Sequence, residues 1–376
     1  MRIPPCVALS LLLAACAGPL VPFATDTPPL ILTTIDKAGI GDDRARFREI
    51  LCAVEADHGA RWPHDRPCER ILWKVDGEPS PSGRPVSLGP PAMRFRVVLV
   101  SGFGADCFAP YVRLLEDAEP LMRELGHRLE QVPVTAFGSV AQNARILRDF
   151  VEGLALEPGE RIVLLGYSKG VPDSLEALRS YPELREKIAA FVSLAGAVNG
   201  SPLAEVVPGW IEELVALLPG TACHMGDGRA LRDLRPKVRL EAVAEAPAIP
   251  PVPSFSLVSF APEKEISSLL RPFWGKLAGA DPRNDGQVLW YDQLVPGSTL
   301  LGYLRGDHLA VGVPVAERMP LLAAERIDRN GFPRAILLEA VLRYLEERLG
   351  GPRVTRPPAA AAPPPRSSPD GGSRRS

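Results

Sequence analysis

Ser168 stands in Gly166-Tyr167-Ser168-Lys169-Gly170, an arrangement suited to holding a serine out for attack. Residues 161–165 before it are an apolar run that reads as a buried parallel strand, and residues 171–178 after it read as the opening of a helix. Pro172 fits that helix, because the first turn has no intrahelical use for its N–H. Glycine two residues to either side lets so tight a turn pass against neighbouring backbone. A serine hydroxyl is a poor nucleophile near neutral pH unless a base takes its proton and a carboxylate orients that base. Beyond Ser168 the chain has two histidines. His224 sits among glycines in an irregular stretch, whereas His308 directly follows the strand-like residues 299–304. Asp285, in the turn Asn284-Asp285-Gly286, is the candidate carboxylate. Asp281 is its near competitor, and Asp307 is too close in sequence to His308 to orient it.

Acyl transfer through such a serine also needs backbone N–H groups aimed at the developing oxyanion. Residues 95–100 read as the first central strand and run into Ser101-Gly102-Phe103-Gly104-Ala105. The N–H of Phe103 and that of Lys169 are the candidate pair. The Lys169 side chain is expected to be incidental.

The elements that must position these groups alternate between strand and helix. A helix is expected over 110–125, an exposed strand over 128–134, a helix over 140–152, strands over 188–194 and 254–260, and a closing helix over 334–349. This rhythm predicts an α/β fold, a mostly parallel central sheet with helices on both faces. Residues 199–250 interrupt it. Their greasy stretch at 202–218, with Trp210 and Leu214, is read as part of a cap over the site.

Ahead of the sheet, residues 41–91 read as a small extension and linker. Asp42 or Asp43 can cap a helix running through Phe47, Ile50, Leu51 and Val54, and a second short helix is expected within 66–73. Residues 92–350 form the main domain, and the Pro/Ala/Arg/Ser-rich residues 351–376 read as a disordered tail.

Length and composition set the limits. The 376 residues, 46% of them hydrophobic, can bury a large core. A net charge of −2 gives no electrostatic case for nucleic acid. Residues 1–15 carry Arg2 and a short apolar run, too short to span a bilayer, that ends in Leu13-Ala14-Ala15-Cys16. This ending resembles a bacterial lipobox, which implies cleavage before Cys16, lipidation of Cys16, and a tether over 16–40. Ala17 in place of Asp favours the outer membrane in a Gram-negative host. Four further cysteines remain outside the leader, an even number that suggests disulfides in an exported chain. Nearest-neighbour pairing gives Cys52–Cys68 and Cys107–Cys223, one of three connectivities. No Cys-x-x-Cys spacing supports a zinc site, and no cofactor or metal is expected.

Taken together, Gly-Tyr-Ser-Lys-Gly, Asn-Asp-Gly-Gln-Val and Gly-Asp-His-Leu resemble the motifs of bacterial α/β-hydrolase lipases and esterases across about residues 93–349. The resemblance implies the α/β-hydrolase fold, a triad in the chain order Ser168, Asp285, His308, and hydrolysis of small-molecule or lipid esters. An acyltransferase using the same residues, or an inactive binding lipoprotein on the same fold, is the alternative. Three features depart from the pattern. Ser101-Gly102-Phe103 stands where many lipases have His-Gly, Tyr167 stands where many have His, and Ala310-Val311 lacks the aspartate many use for calcium.

Overall fold

Residues 39–207, 223–245 and 252–350 are described by the computed structural model, and their apolar runs form the middle of one eight-stranded sheet. The strands are β1 (Gly41–Asp42), β2 (Leu72–Trp73), β3 (Arg94–Val100), β4 (Arg128–Gln131), β5 (Glu160–Tyr167), β6 (Ile188–Leu194), β7 (Ser254–Phe260) and β8 (Thr299–Arg305). Their order is β1-β8-β7-β6-β5-β3-β4. Every pairing along this path is parallel, and β2 adds antiparallel to β8.

Successive side chains of the central strands enter opposite cores, which is why the runs are apolar throughout rather than alternating. Val97 and Leu99 of β3, with Val163 and Leu165 of β5, belong to one core. Val98 and Val100, with Ile162 and Leu164, belong to the other. Helices cover both faces: α1 (Arg44–His58), α2 (Val140–Gly153), α3 (Gly170–Ser180), the short α4 (His308–Gly312) and α5 (Arg334–Gly350). Phe47 of α1 and Tyr344 of α5 share the first core with their rings edge to face at 6.1 Å. Val151 of α2 and Leu178 of α3 lie in the second.

Three expectations change in detail. Residues 110–125 do not form one helix. Leu115 takes a left-handed φ of 52°, a 3-10 turn follows at Glu116–Ala118, and only Glu119–Glu124 is helical, with Pro120 in its first turn. Within 66–73, only Cys68–Ile71 is helical, and the chain then becomes β2. Asp43 occupies the N-cap of α1, yet its carboxylate accepts from the Tyr344 hydroxyl (2.5 Å) instead of capping the helix. Residues 41–73 therefore pair with and pack against the sheet, through β1, α1 and β2.

Both cysteine pairings are closed, Cys52–Cys68 with Cα atoms 5.1 Å apart and Cys107–Cys223 with Cα atoms 4.0 Å apart. Among the described residues no helix is long and apolar enough to cross a membrane. The leader 1–15, Cys16, nearly all of the tether, Trp210 and Leu214, and the tail 351–376 lie outside the described residues.

Candidate active site

β5 ends at Tyr167 and α3 begins at Gly170, so Ser168 and Lys169 form the whole turn between them. Ser168 has φ of 55°, a left-handed conformation that a residue with a Cβ adopts at a cost. Hydrogen bonds over-determine it. Its N–H donates to the Leu194 carbonyl (3.2 Å), and its own carbonyl accepts from Val171 (3.1 Å) and Ala197 (3.1 Å). The crossing points on either side require glycine. A Cβ at Gly170 would run into the Val100 carbonyl, and one at Gly102 would lie 2.8 Å from the Ser168 Cβ. The loop after β3 thus passes directly beside the serine.

β8 leads to His308. Asp307 caps α4, one carboxylate oxygen accepting from the Ala310 N–H (2.8 Å) and the other from Ser267 N–H (2.8 Å). This makes His308 the first residue of the helix. The Tyr167 hydroxyl donates to the His308 carbonyl (2.6 Å), and its ring lies 5.0 Å from the imidazole. His308 Nε2 is 2.8 Å from Ser168 Oγ, and Nδ1 is 2.7 Å from Asp285 Oδ2. Asp285 is wholly buried, and its other oxygen accepts from the N–H groups of Gln287 (2.9 Å) and Val288 (2.8 Å). Oδ2 also accepts from the Ser259 hydroxyl (2.7 Å) and, at 3.3 Å, from Gln293 Nε2.

The structure thus brings Ser168, His308 and Asp285 into one hydrogen-bonded chain. It places the competitors elsewhere. Asp281 is paired with Arg283 (2.7 Å) and accepts from the Trp290 indole (3.0 Å), and those partners hold its carboxyl below the ordinary value against its burial. His224 is exposed beside Asp106.

The backbone N–H groups of Phe103 and Lys169 have no acceptor among the described residues. The Phe103 ring packs at 5.0 Å from that of Phe137, and Phe103 also packs against a cluster of Ala197, Ala204, Leu234 and Val288, two of which come from the 199–250 insertion. The Lys169 side chain is turned to a partner of its own. Its Nζ lies 2.8 and 2.9 Å from the two oxygens of Asp173, one turn along α3, and both side chains are buried. Burial pushes the Asp173 carboxyl up, while Lys169 pulls it down. The i,i+4 spacing of Lys169 and Asp173 is the signal that could have exposed this pair. Ser259 and Gln293 escaped the sequence reading, because nothing local marks a side chain that meets the site only through folding, and the sequence marks Tyr167 only as part of the serine motif.

Cys107 lies in the 3-10 turn Ala105–Phe108 just beyond this loop, and its disulfide to Cys223 ties the insertion to it.

No family profile and no curated protein matches the sequence. Among solved structures, a carboxyl esterase of metagenomic origin is 42% identical, with a TM-score of 0.81 over 88% of this chain and 100% of that one. More distant are the mature lipase BlEst2 of Bacillus licheniformis (18% identity, TM-score 0.45, 60% of this chain and 89% of that one) and the Staphylococcus hyicus lipase (11%, 0.47, 70% and 99%). With that degree of identity over the whole of the esterase, and with a parallel sheet carrying a strained serine between β5 and α3, the chain belongs to the carboxyl esterases of the α/β-hydrolase family.

Proposed function

We propose that the protein hydrolyses carboxylic esters through an acyl-enzyme on Ser168. The observation that carries this reading is the unbroken hydrogen-bonded chain Ser168–His308–Asp285, with the serine held in a left-handed turn. His308 Nε2 takes the hydroxyl proton as Ser168 Oγ attacks the ester carbonyl, and returns it to the departing alcohol. Water then attacks the acyl-enzyme by the same route in reverse. Asp285 keeps the proton on Nδ1 and stabilises the imidazolium that forms. The backbone donors to its Oδ1 leave Oδ2 facing the ring. The N–H groups of Phe103 and Lys169 receive the oxyanion.

A fluorophosphonate probe tests the assignment. Wild type should be labelled and should cleave chromogenic esters. Ser168→Ala should do neither, and full activity in that variant would end the proposal.

The protein also acts, in this reading, as an exported lipoprotein anchored through Cys16, with 1–15 as leader, 16–40 as tether and 199–250 as cap. The lipobox-like Leu-Ala-Ala-Cys supports the anchor, and two disulfides are compatible with export. A palmitate analogue fed to cells should tag wild type but not Cys16→Ser; equal labelling of both rejects the anchor.

A further inference from the structure

Lys169 and Asp173 are the buried ion pair nearest in sequence to the nucleophile, and the hydrolytic chemistry itself does not use their side chains. A buried pair is poor evidence of stabilisation, since desolvating two charges offsets much of their attraction. Its connections give it another meaning. Asp173 Oδ2 also accepts from Asn143 Nδ2 (2.9 Å), near the start of α2. The Asn143 amide is in turn engaged three times by Thr135: its oxygen accepts from the Thr135 N–H (3.1 Å) and hydroxyl (3.0 Å), and its NH2 donates to the Thr135 carbonyl (3.2 Å). The next residue, Ala136, accepts through its carbonyl from the Gly104 N–H (3.1 Å). Gly104 follows Phe103, whose ring also rests on Phe137. A continuous path therefore leaves one proposed oxyanion donor at Lys169, runs through Asp173, Asn143 and residues 135–137, and arrives at the other at Phe103.

We propose that this path is a strut setting the distance between the two oxyanion donors, with the Lys169 side chain, Asp173 and Asn143 as positioning residues. The inference rests on the triad reading above. Phe103 and Lys169 come from loops after different strands, β3 and β5, and the loop after β3 has no α-helix immediately behind it to fix it. The ion pair fixes Lys169 from its own side chain, and Asn143 carries that constraint to the loop on which Phe103 leans. Donors in an oxyanion hole act only when aimed at where charge develops, so an error in spacing weakens the transition state and leaves ester binding unchanged.

The test compares Asp173→Asn, the double variant Lys169→Met/Asp173→Leu, and Thr135→Val. The double variant removes both charges and leaves neither one buried alone, and Thr135→Val weakens the far end of the strut without touching the pair. For each, kcat and KM are measured on a chromogenic butyrate ester, together with the inhibition constant of a short alkyl trifluoromethyl ketone, whose adduct with the serine carries an oxyanion. The double variant should stay folded by circular dichroism and lose on the order of 10²-fold in kcat. KM should change little, and ketone affinity should fall in proportion to kcat. Thr135→Val should show the same pattern at a few-fold. Wild-type kcat in the folded double variant overturns the strut, as does a fall in kcat with unchanged ketone affinity. Failure of the triad reading looks different: Ser168→Ala would keep its activity, or wild type would not bind the ketone at all.

Discussion

On the His308 side of Ser168, position is fixed by many hydrogen bonds from separate elements. Asp285 is held by two backbone N–H groups, by Ser259 on β7 and by Gln293, and His308 by Tyr167 and by the Asp307 cap on α4. On the Lys169 side, the hydrogen bonds run in series rather than in parallel: one buried ion pair from Lys169 to Asp173 at the start of α3, then Asn143 and Thr135, with one disulfide from Cys107 to Cys223. The difference is one of redundancy. A group held by several partners of about 1 kcal/mol each tolerates the loss of one, whereas breaking a buried ion pair costs roughly 3–5 kcal/mol because the survivor is left uncompensated. The side proposed to hold the base should therefore degrade gradually, and the side proposed to hold the oxyanion abruptly.

Removing the proposed reacting groups themselves ignores this distinction and sets the upper limit. Ser168→Ala or His308→Ala should each cost on the order of 10⁴–10⁶ in kcat, and the double variant little more, because the groups act as a unit. Asp285→Asn should cost roughly 10⁴, since it presents a donor where Nδ1–H needs an acceptor. Asp281→Asn should leave kcat near wild type; if the two aspartates exchange these outcomes, the acid is misassigned.

Next in size is the disulfide. Cys107→Ser/Cys223→Ser should lose about 2–4 kcal/mol of stability in urea titration. It should also lower kcat through the neighbouring oxyanion loop, whereas breaking Cys52–Cys68 should affect stability alone. Equal effects on kcat from both bridges would erase the contrast between the two regions. Ser259→Ala should lower kcat only several-fold, because one of about four bonds to Asp285 is lost. A loss as large as that of Asp285→Asn would show that the base side is not redundant.

The smallest effect concerns the whole molecule rather than either side. His127 is buried, and its Nδ1 accepts from the Phe95 N–H at 3.1 Å. Burial, with Arg343 nearby, pushes its imidazole down to about 4 from an ordinary 6.5. Unfolded, the ring takes a proton first, so its contribution is whole above pH 6.5 and is lost as pH falls from there through about 4. The melting temperature should drop across that window, and His127→Asn should flatten the drop. An equally steep drop in the variant would assign the acid sensitivity to other groups.

Much of this was legible because its causes are local. The runs at 95–100, 161–165, 188–194, 254–260 and 299–304 lie within β3, β5, β6, β7 and β8, since a strand buried on both faces is predominantly apolar, and the serines of β7 interrupt that pattern without hiding it. Gly166-Tyr167-Ser168-Lys169-Gly170 announces its turn because two crossings of backbone leave no room for a Cβ. What could not be read depends on distant partners. The two-residue strands β1 and β2 exist only because β8 offers an edge. The break at Leu115 is fixed partly by its N–H reaching the Gly312 carbonyl, nearly two hundred residues on. The Lys169–Asp173 pair was visible as a spacing, but its value lies in Asn143 and Thr135, which no motif joins to it.

The two short strands on β8 bear on how copies of this protein meet one another in solution. An open edge strand offers a row of unpaired N–H and C=O groups on which a second molecule can grow a continuous sheet. β1 covers Thr299 and Leu300 in parallel, and β2 covers Tyr303 and Leu304 antiparallel. Their outward edges are two residues long and run in opposite senses, so no incoming strand can pair with both in one register. At the far edge, β4 is four residues long and carries Arg128 and Glu130. Among the described residues both ends of the sheet are thus short edges, mismatched at one end and charged at the other, and such edges are poor templates for pairing with a second copy.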